Sequence, residues 1–257
     1  MTRQHLSAIC PDASAGKDVR SLSDFFAIIK SCQRSGNLWF RGNSDSGWTL
    51  TPGALRSDKL AKRQKALSIL DEFRVIAQPK LSAHPTGDTD SVTLEWMQIA
   101  AHYGIPTRLL DWTENSGISL YFACAHADGD GAVFILDPLN LNGTSSIGRR
   151  VLNPVSDLQI IKKYVALNGR IDRRGPETVA LQPIQNNERI RAQHGRFTIH
   201  GSRHRHLDQR QCPGLSYLFI PRDAKFDLLR ELETISINEM HVFPELEHTA
   251  NYLKSQL

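Results

Sequence analysis

Apolar residues recur along the chain with two different periods. In SLSDFFAIIKSCQRS, Leu22, Phe25, Phe26 and Ile29 share one face at helical spacing, with a serine ahead of them as a cap and Gly36 beyond them as a stop. Leu60–Gln78 predicts a longer amphipathic helix, with Ala66, Leu70, Phe73 and Ala77 inward and Pro79 ending it. Leu94–Tyr103 predicts another, closed at Gly104. A strand is expected through Trp39 and Phe40, and a second over Thr107–Trp112. A helix carrying Ile118, Tyr121, Phe122 and Ala125 follows, and then GAVFIL, whose unbroken apolar run predicts a strand buried on both faces. Ser156 is placed to cap a helix through Ile161 and Tyr164. Val179–Ile184, Arg196–His200 and Leu215–Ile220 read as strands, and the helices Arg222–Leu232 and Phe243–Leu253 come last. Strands and helices interspersed without a repeat or a steady βαβ rhythm predict an α+β fold: a single domain with a mixed sheet core of short strands and flanking helices.

Two strands carry polar residues that packing alone would not select. LWFRGNSDSGWTLTPGALR runs apolar into Arg41 and then Gly42, which places a guanidinium near a strand end with backbone room beside it. In HYGIPTRLLDWTENSGISLYFACA, Arg108, Asp111 and Thr113 flank or interrupt Leu109, Leu110 and Trp112. A turn, strand and helix can present His102, Arg108 and Asp111 to one cleft from rigid supports. The competing reading makes Arg108 and Asp111 a partly buried ion pair that only fixes the strand.

The chain has 257 residues, 40% hydrophobic and 23% charged, with no Pro/Ser-rich linker or charge block to mark a boundary, so one domain is expected. No apolar run approaches the ~20 residues of a membrane span. Residues 1–20 lack the apolar core of a signal peptide and read as a flexible leader ahead of a domain over 21–257, which implies a cytoplasmic protein. The four cysteines form no C-x-x-C pair, and the histidines at 200, 204 and 206 lie among arginines without an interleaved carboxylate or thiolate, so no metal site is expected. P-loop, dinucleotide-fingerprint, zincin and nucleophile-elbow motifs are absent. The net charge is +4, and basic residues cluster at Arg149–Arg150, at Arg170, Arg173 and Arg174, and around Arg203, Arg205 and Arg210, which favours a polyanion such as RNA or DNA as partner, with Arg203 and Arg205 the leading contacts.

The (F/Y)RG motif, the W-x-L-x-P-x-x-x-R run after it and HYGxPTRLLDWT, followed in order by DGAVFILDP, IRAQHGRFTIHG and FPELEHTANYL, resemble the FRG domain, a bacterial family named for the first motif, over roughly Ser21 to Leu253. An aromatic-Arg-Gly on one strand, a D-W-T strand entering a helix and Gln193 ahead of a later strand also resemble the ADP-ribosyltransferase fold. That resemblance implies NAD as co-substrate. Arg41 and Gly42 would hold its pyrophosphate, Thr113 or Asp111 would contact the ribose, and His102, Tyr103 and Arg108 would line the pocket. It also implies catalytic roles for Arg41, Asp111 and Gln193, and a toxin of a toxin–antitoxin or antiphage system, with an antitoxin as possible partner. The departure is Gln193, an amide where that class carries a carboxylate and one that cannot act as a base. The substitute would be Asp111, Glu188, or one of the C-terminal acids at Glu231, Glu233, Glu245 and Glu247. Two other functions fit the same residues: a nucleotide or nucleic-acid binding module without turnover, and a metal-independent hydrolase or nuclease using His102 and Asp111 as acid and base.

Overall fold

The computed structural model describes residues 17–32, 38–81, 85, 89–126, 128–167, 169–172, 174–203, 206–207, 212 and 214–254. The chain enters the sheet at β1 (Lys17–Asp18) and turns into α1 (Leu22–Cys32), whose first turn is capped by Ser21 Oγ accepting from Asp24 N at 3.1 Å. β2 (Trp39–Asn43) follows, then the long α2 (Leu60–Ala77) and α3 (Thr89–His102). Gly104, at φ 76°, ends α3 in the left-handed conformation that glycine adopts without strain. β3 (Leu109–Thr113) leads directly into α4 (Ser116–Cys124), where Asn115 accepts from Ile118 N as the cap. After β4 (Gly131–Leu136) come α5 (Pro138–Gly143), α6 (Leu158–Val165), β5 (Val179–Leu181), α7 (Glu188–Ala192), β6 (Gly195–Ile199) and β7 (Leu215–Ile220). The helices α8 (Lys225–Thr234), α9 (Glu239–Val242) and α10 (Leu246–Lys254) come last.

Among the described residues seven strands form one mixed sheet in the order β1-β7-β4-β2-β3-β6-β5, antiparallel except for β1 against β7, which makes the fold α+β. The sheet is parted at its middle. β2 pairs with β4 over its full length, from Trp39↔Leu136 to Asn43↔Ala132, but meets β3 at Phe40↔Thr113 alone. One face is continuous across the parting, with Trp39, Leu110, Trp112, Phe134 and Tyr217 in a single cluster. On the other face there are two clusters. Phe25, Phe40, Ile118, Val133 and Leu228 pack under α1, α4 and α8, and Leu70, Met97, Leu109, Ile161 and Phe197 pack under α2, α3 and α6. A cleft opens between the two helical layers, above the line where β2 leaves β3.

Several boundaries differ from the sequence expectation for identifiable reasons. Lys17 and Asp18, counted there with the leader, pair with Leu218 and Phe219, and Val19 is fully buried, so the fold begins before Ser21. The strand expected over 179–184 stops at Leu181, because Pro183 has no N–H to give the ladder. The helix expected from Phe243 begins at Leu246, since Pro244 holds Phe243 extended at φ −121°, ψ 98°. Ser156 is not a cap. Asp157 occupies that position, and its carboxylate takes both guanidinium nitrogens of Arg150 at 2.6 and 2.8 Å. Gly36 lies outside the described residues.

Candidate functional site

The cleft has a volume of about 340 Å³, and the parting of the sheet forms its floor. Had the ladder continued past Phe40↔Thr113, the Asp111 carbonyl would have been available to β2; instead it accepts from Arg41 Nη1 at 2.8 Å. A side chain thus spans the gap where backbone pairing stops, and Arg41 is held by the fold that opens the cleft. Gly42 lets a helix close on this strand. A Cβ there would stand 1.9 Å from the Ser119 carbonyl oxygen and 2.6 Å from Ala123 N, so α4 packs directly on this backbone only because the position is glycine.

Arg41 and Asp111 are also an ion pair, with Nη1 3.9 Å from Oδ2. Their environments differ. The Arg41 side chain is 20% exposed, and its Nε is buried without a hydrogen-bond partner; the Asp111 carboxylate is 67% exposed but opens into a concave space walled by protein. Removal from bulk water raises the Asp111 pKa above the ordinary carboxylate value, and the Arg41 charge opposes the rise. The same desolvation lowers the pKa of Arg41, although a guanidinium remains charged at neutral pH.

The far wall comes from α3 and from the chain around α7. Gln98 and His102, one helical turn apart, both face the cavity. Arg189, on α7, donates Nε to Glu245 Oε1 at 2.8 Å and lies 5.0 Å over the Phe243 ring, while His102 Nε2 is 3.6 Å from the same carboxylate oxygen. Burial lowers the pKa of His102, Arg189 adds to the fall, and Glu245 opposes it. Burial alone would raise the pKa of Glu245, but the hydrogen bond and charge of Arg189 keep it below the ordinary value. Arg196 adds no free charge to the wall, because Glu114 holds it bidentately at 2.7 and 3.0 Å.

Residues 36–131 match the FRG domain. Neither the curated proteins nor the solved structures contain a match to the chain. The FRG span contains β2, α3, β3 and α4, and therefore the cleft floor with Arg41 and Asp111, as well as Gln98 and His102. Arg189, Gln193 and Glu245 lie beyond it, so the other wall is supplied by chain outside the FRG match, as are the motifs IRAQHGRFTIHG and FPELEHTANYL.

Of the residues singled out from sequence, Arg41, Gly42, His102, Asp111, Thr113 and Gln193 all line the cleft. Two of them have their polar groups engaged. Thr113 Oγ1 donates to the Gln193 carbonyl at 2.6 Å and accepts from Asn115 N at 2.9 Å, and Gln193 Nε2 donates to the Val242 carbonyl at 3.0 Å, which ties the C-terminal segment to the wall. Arg108 is not in the cleft. A strand alternates its faces, so residues three apart point oppositely. Asp111 faces the cavity, and Arg108 is fully buried on the other side, donating Nη1 to the carbonyls of His200 and Gly201 at 3.0 and 3.2 Å. Burial there, beside Arg63, pushes its pKa down to about 10, and the proposed Arg108–Asp111 ion pair is not formed. Tyr103 is 62% exposed on the outer surface, edge-on to His102 at 4.7 Å, and does not line the cavity. Arg203 is paired with Glu177, and Arg205 lies outside the described residues. Sequence reasoning missed Gln98, Trp48 and Arg189. Trp48, 54% exposed at the cavity, lay inside a quoted motif, and Gln98 is one turn before His102; Arg189 had no local pattern to mark it.

Proposed function

We propose that the FRG cleft binds NAD and that the protein transfers ADP-ribose to an acceptor. One observation carries the reading: at the parting of the sheet the cleft presents a guanidinium with donor capacity to spare beside a carboxylate that opens into the cavity. Arg41 is suited to the pyrophosphate, which guanidinium binds with paired charge-assisted hydrogen bonds. Asp111, close by and partly removed from water, would stabilise the positive charge that develops at ribose C1′ as the bond to nicotinamide breaks. Phe40, Phe122 and Phe243 supply apolar walls. The proposed acceptor is a nucleic acid, supported by the net charge of +4 and by Trp48, an exposed indole on which an unpaired base can stack. A toxin role with a neutralising antitoxin partner completes this reading.

The reading as a binding module has one observation in its favour: Thr113 spends its hydroxyl, and Gln193 its amide N–H, on the fold. Incubating the protein with NAD labelled in the nicotinamide ring, with RNA, DNA or protein present, separates the two. Nicotinamide release that requires one of the acceptors and is lost in Asp111→Asn supports transfer. NAD bound but left intact with every acceptor supports the binding module, and failure to bind NAD removes the transfer reading.

A further inference from the structure

Lys225, the first residue of α8, is a buried cation that the chemistry of the cleft does not use. It is 2% exposed, and its Nζ donates to the Ser44 carbonyl at 2.6 Å and to the His126 carbonyl at 2.7 Å. An ammonium group taken out of water is costly unless it is hydrogen-bonded, and both bonds here go to the main chain of separate segments. Ser44 directly follows β2, His126 comes just after α4, and both line the cleft. The two segments are tied once more where Ser46 N donates to the Asp130 carbonyl at 2.7 Å, and Asp130 Oδ1 accepts in turn from Arg222 N, shortly before α8, at 2.8 Å. Within the first segment, Asn43 Nδ2 donates to the Trp48 carbonyl at 3.2 Å and Trp48 N to the Asp45 carbonyl at 3.1 Å, so the turn over 43–48 closes on itself and carries Trp48 wherever Ser44 and Ser46 are held. Trp48 and His126 are both exposed at the cleft, which gives this lip two rings. Arg41 lies inside β2, whose pairing with β4 runs on to Asn43↔Ala132, so its place is set by the sheet.

We infer that Lys225 is a positioning residue for the acceptor: by holding the carbonyls of Ser44 and His126 it fixes the lip that presents Trp48, where an unpaired nucleobase is received. The inference rests on the reading of the acceptor as a nucleic acid, and not on NAD in the cleft. A segment fixed before the ligand arrives need not be ordered on binding, which is how a buried side chain beyond the ligand's reach raises affinity.

Affinity for short single-stranded RNA and DNA oligonucleotides, read by fluorescence anisotropy, and for NAD, read by calorimetry, tests this in the full chain and in Lys225→Met, Trp48→Ala and the double variant. Loss of stacking on the indole predicts that Trp48→Ala weakens oligonucleotide binding about 5–150-fold. Lys225→Met should weaken it by up to the same factor and leave NAD affinity unchanged, and the double variant should bind no more weakly than Trp48→Ala, because Lys225 acts through Trp48. With fluorotryptophan incorporated, the fluorine resonance of Trp48 should shift in Lys225→Met while those of the buried Trp39, Trp96 and Trp112 stay in place, a pattern that a general loss of stability would not give. Unchanged oligonucleotide affinity in Lys225→Met, losses that add in the double variant, or a Trp48 resonance that does not move overturns the inference. Should Lys225→Met fail to fold, the wild type decides: the Lys225 ammonium protons should exchange slowly and their NMR signal should move when an oligonucleotide binds, and a signal that stays fixed overturns the inference. If no oligonucleotide binds the wild type, the nucleic-acid reading fails and the inference with it. If oligonucleotides bind in the expected manner and NAD does not bind, the inference stands and the transfer reading falls.

Discussion

Replacing Arg41 with methionine separates its role in the fold from its role in binding, because the apolar stem is kept and the charge and donors are removed. On the side of the fold, the losses are one hydrogen bond, to the Asp111 carbonyl at 2.8 Å, and an ion pair at 3.9 Å with a carboxylate that is 67% exposed. The bond contributes about 1 kcal/mol where water can replace it, and a pair this open to the cavity contributes about 0–1 kcal/mol. Relief of the guanidinium's own desolvation offsets part of this. The net loss should stay below about 2 kcal/mol, which lowers the melting temperature by roughly 4–8 °C at ~2–4 °C per kcal/mol for a chain of this size. On the side of binding, two charge-assisted hydrogen bonds to a pyrophosphate at about 1.5–3 kcal/mol each predict an affinity loss on the order of 10²–10⁴-fold. Trp112→Ala is the comparison: the indole is 3% exposed and donates Nε1 to Thr198 Oγ1 at 3.1 Å, and its truncation should cost about 3–5 kcal/mol. Thermal melts and nucleotide titrations of both variants decide the matter. An Arg41→Met protein that melts as low as Trp112→Ala, or that binds nucleotide as tightly as the wild type, would refute the assignment.

Gly42→Ala should destabilise by more than the ~1–3 kcal/mol of ordinary overpacking, since the new methyl meets backbone atoms of α4 that cannot rotate away, and nucleotide affinity should fall with it; melts and titrations of the variant check both. The folded-state pKa of Asp111 is raised, so between its unfolded and folded values the native state holds more protons and stability falls as pH rises through that window; Asp111→Asn should remove that part of the fall in melts across the acidic range. In Arg41→Met, the Asp111 carboxyl should titrate higher still by NMR. His102 shifts the other way: its folded pKa is lowered, so its contribution is present above the unfolded value and is lost as pH falls through it toward the folded one, and Glu245→Gln should lower the imidazole pKa further in an NMR titration.

The elements that carry long apolar patterns were legible in the sequence, and so was the meeting of Arg41 and Asp111, because each interrupts a strand that otherwise reads as core. The parting between their strands was not. The single pairing at Phe40↔Thr113 and the seating of α4 on Gly42 are tertiary contacts that no periodicity encodes. The error at Arg108 was avoidable, since R-x-x-D in an extended segment puts the two side chains on opposite faces. Arg189 and Glu245 are separated by 56 positions and were beyond local reading; Glu245 stood among several C-terminal acids, and it meets Arg189 from the residues just before α10.

The division of the cleft between matched and unmatched chain bears on what the two halves do. The FRG span supplies the charged floor and the α3 wall, while Gln193, Arg189 and Phe243 close the site from outside that span through bonds to one another's segments. Gln193 has a more constrained place than its position in the sequence suggested: its amide holds the Val242 carbonyl, and the His102–Arg189–Glu245 cluster anchors the same segment three residues further on. A residue used in this way fixes the geometry of the opposite wall. A catalytic carboxylate is therefore better sought on the floor, where Asp111 opens to the cavity, than at Gln193, and variation in the segment over 188–246 would alter which ligand is accepted while leaving the Arg41–Asp111 pair intact.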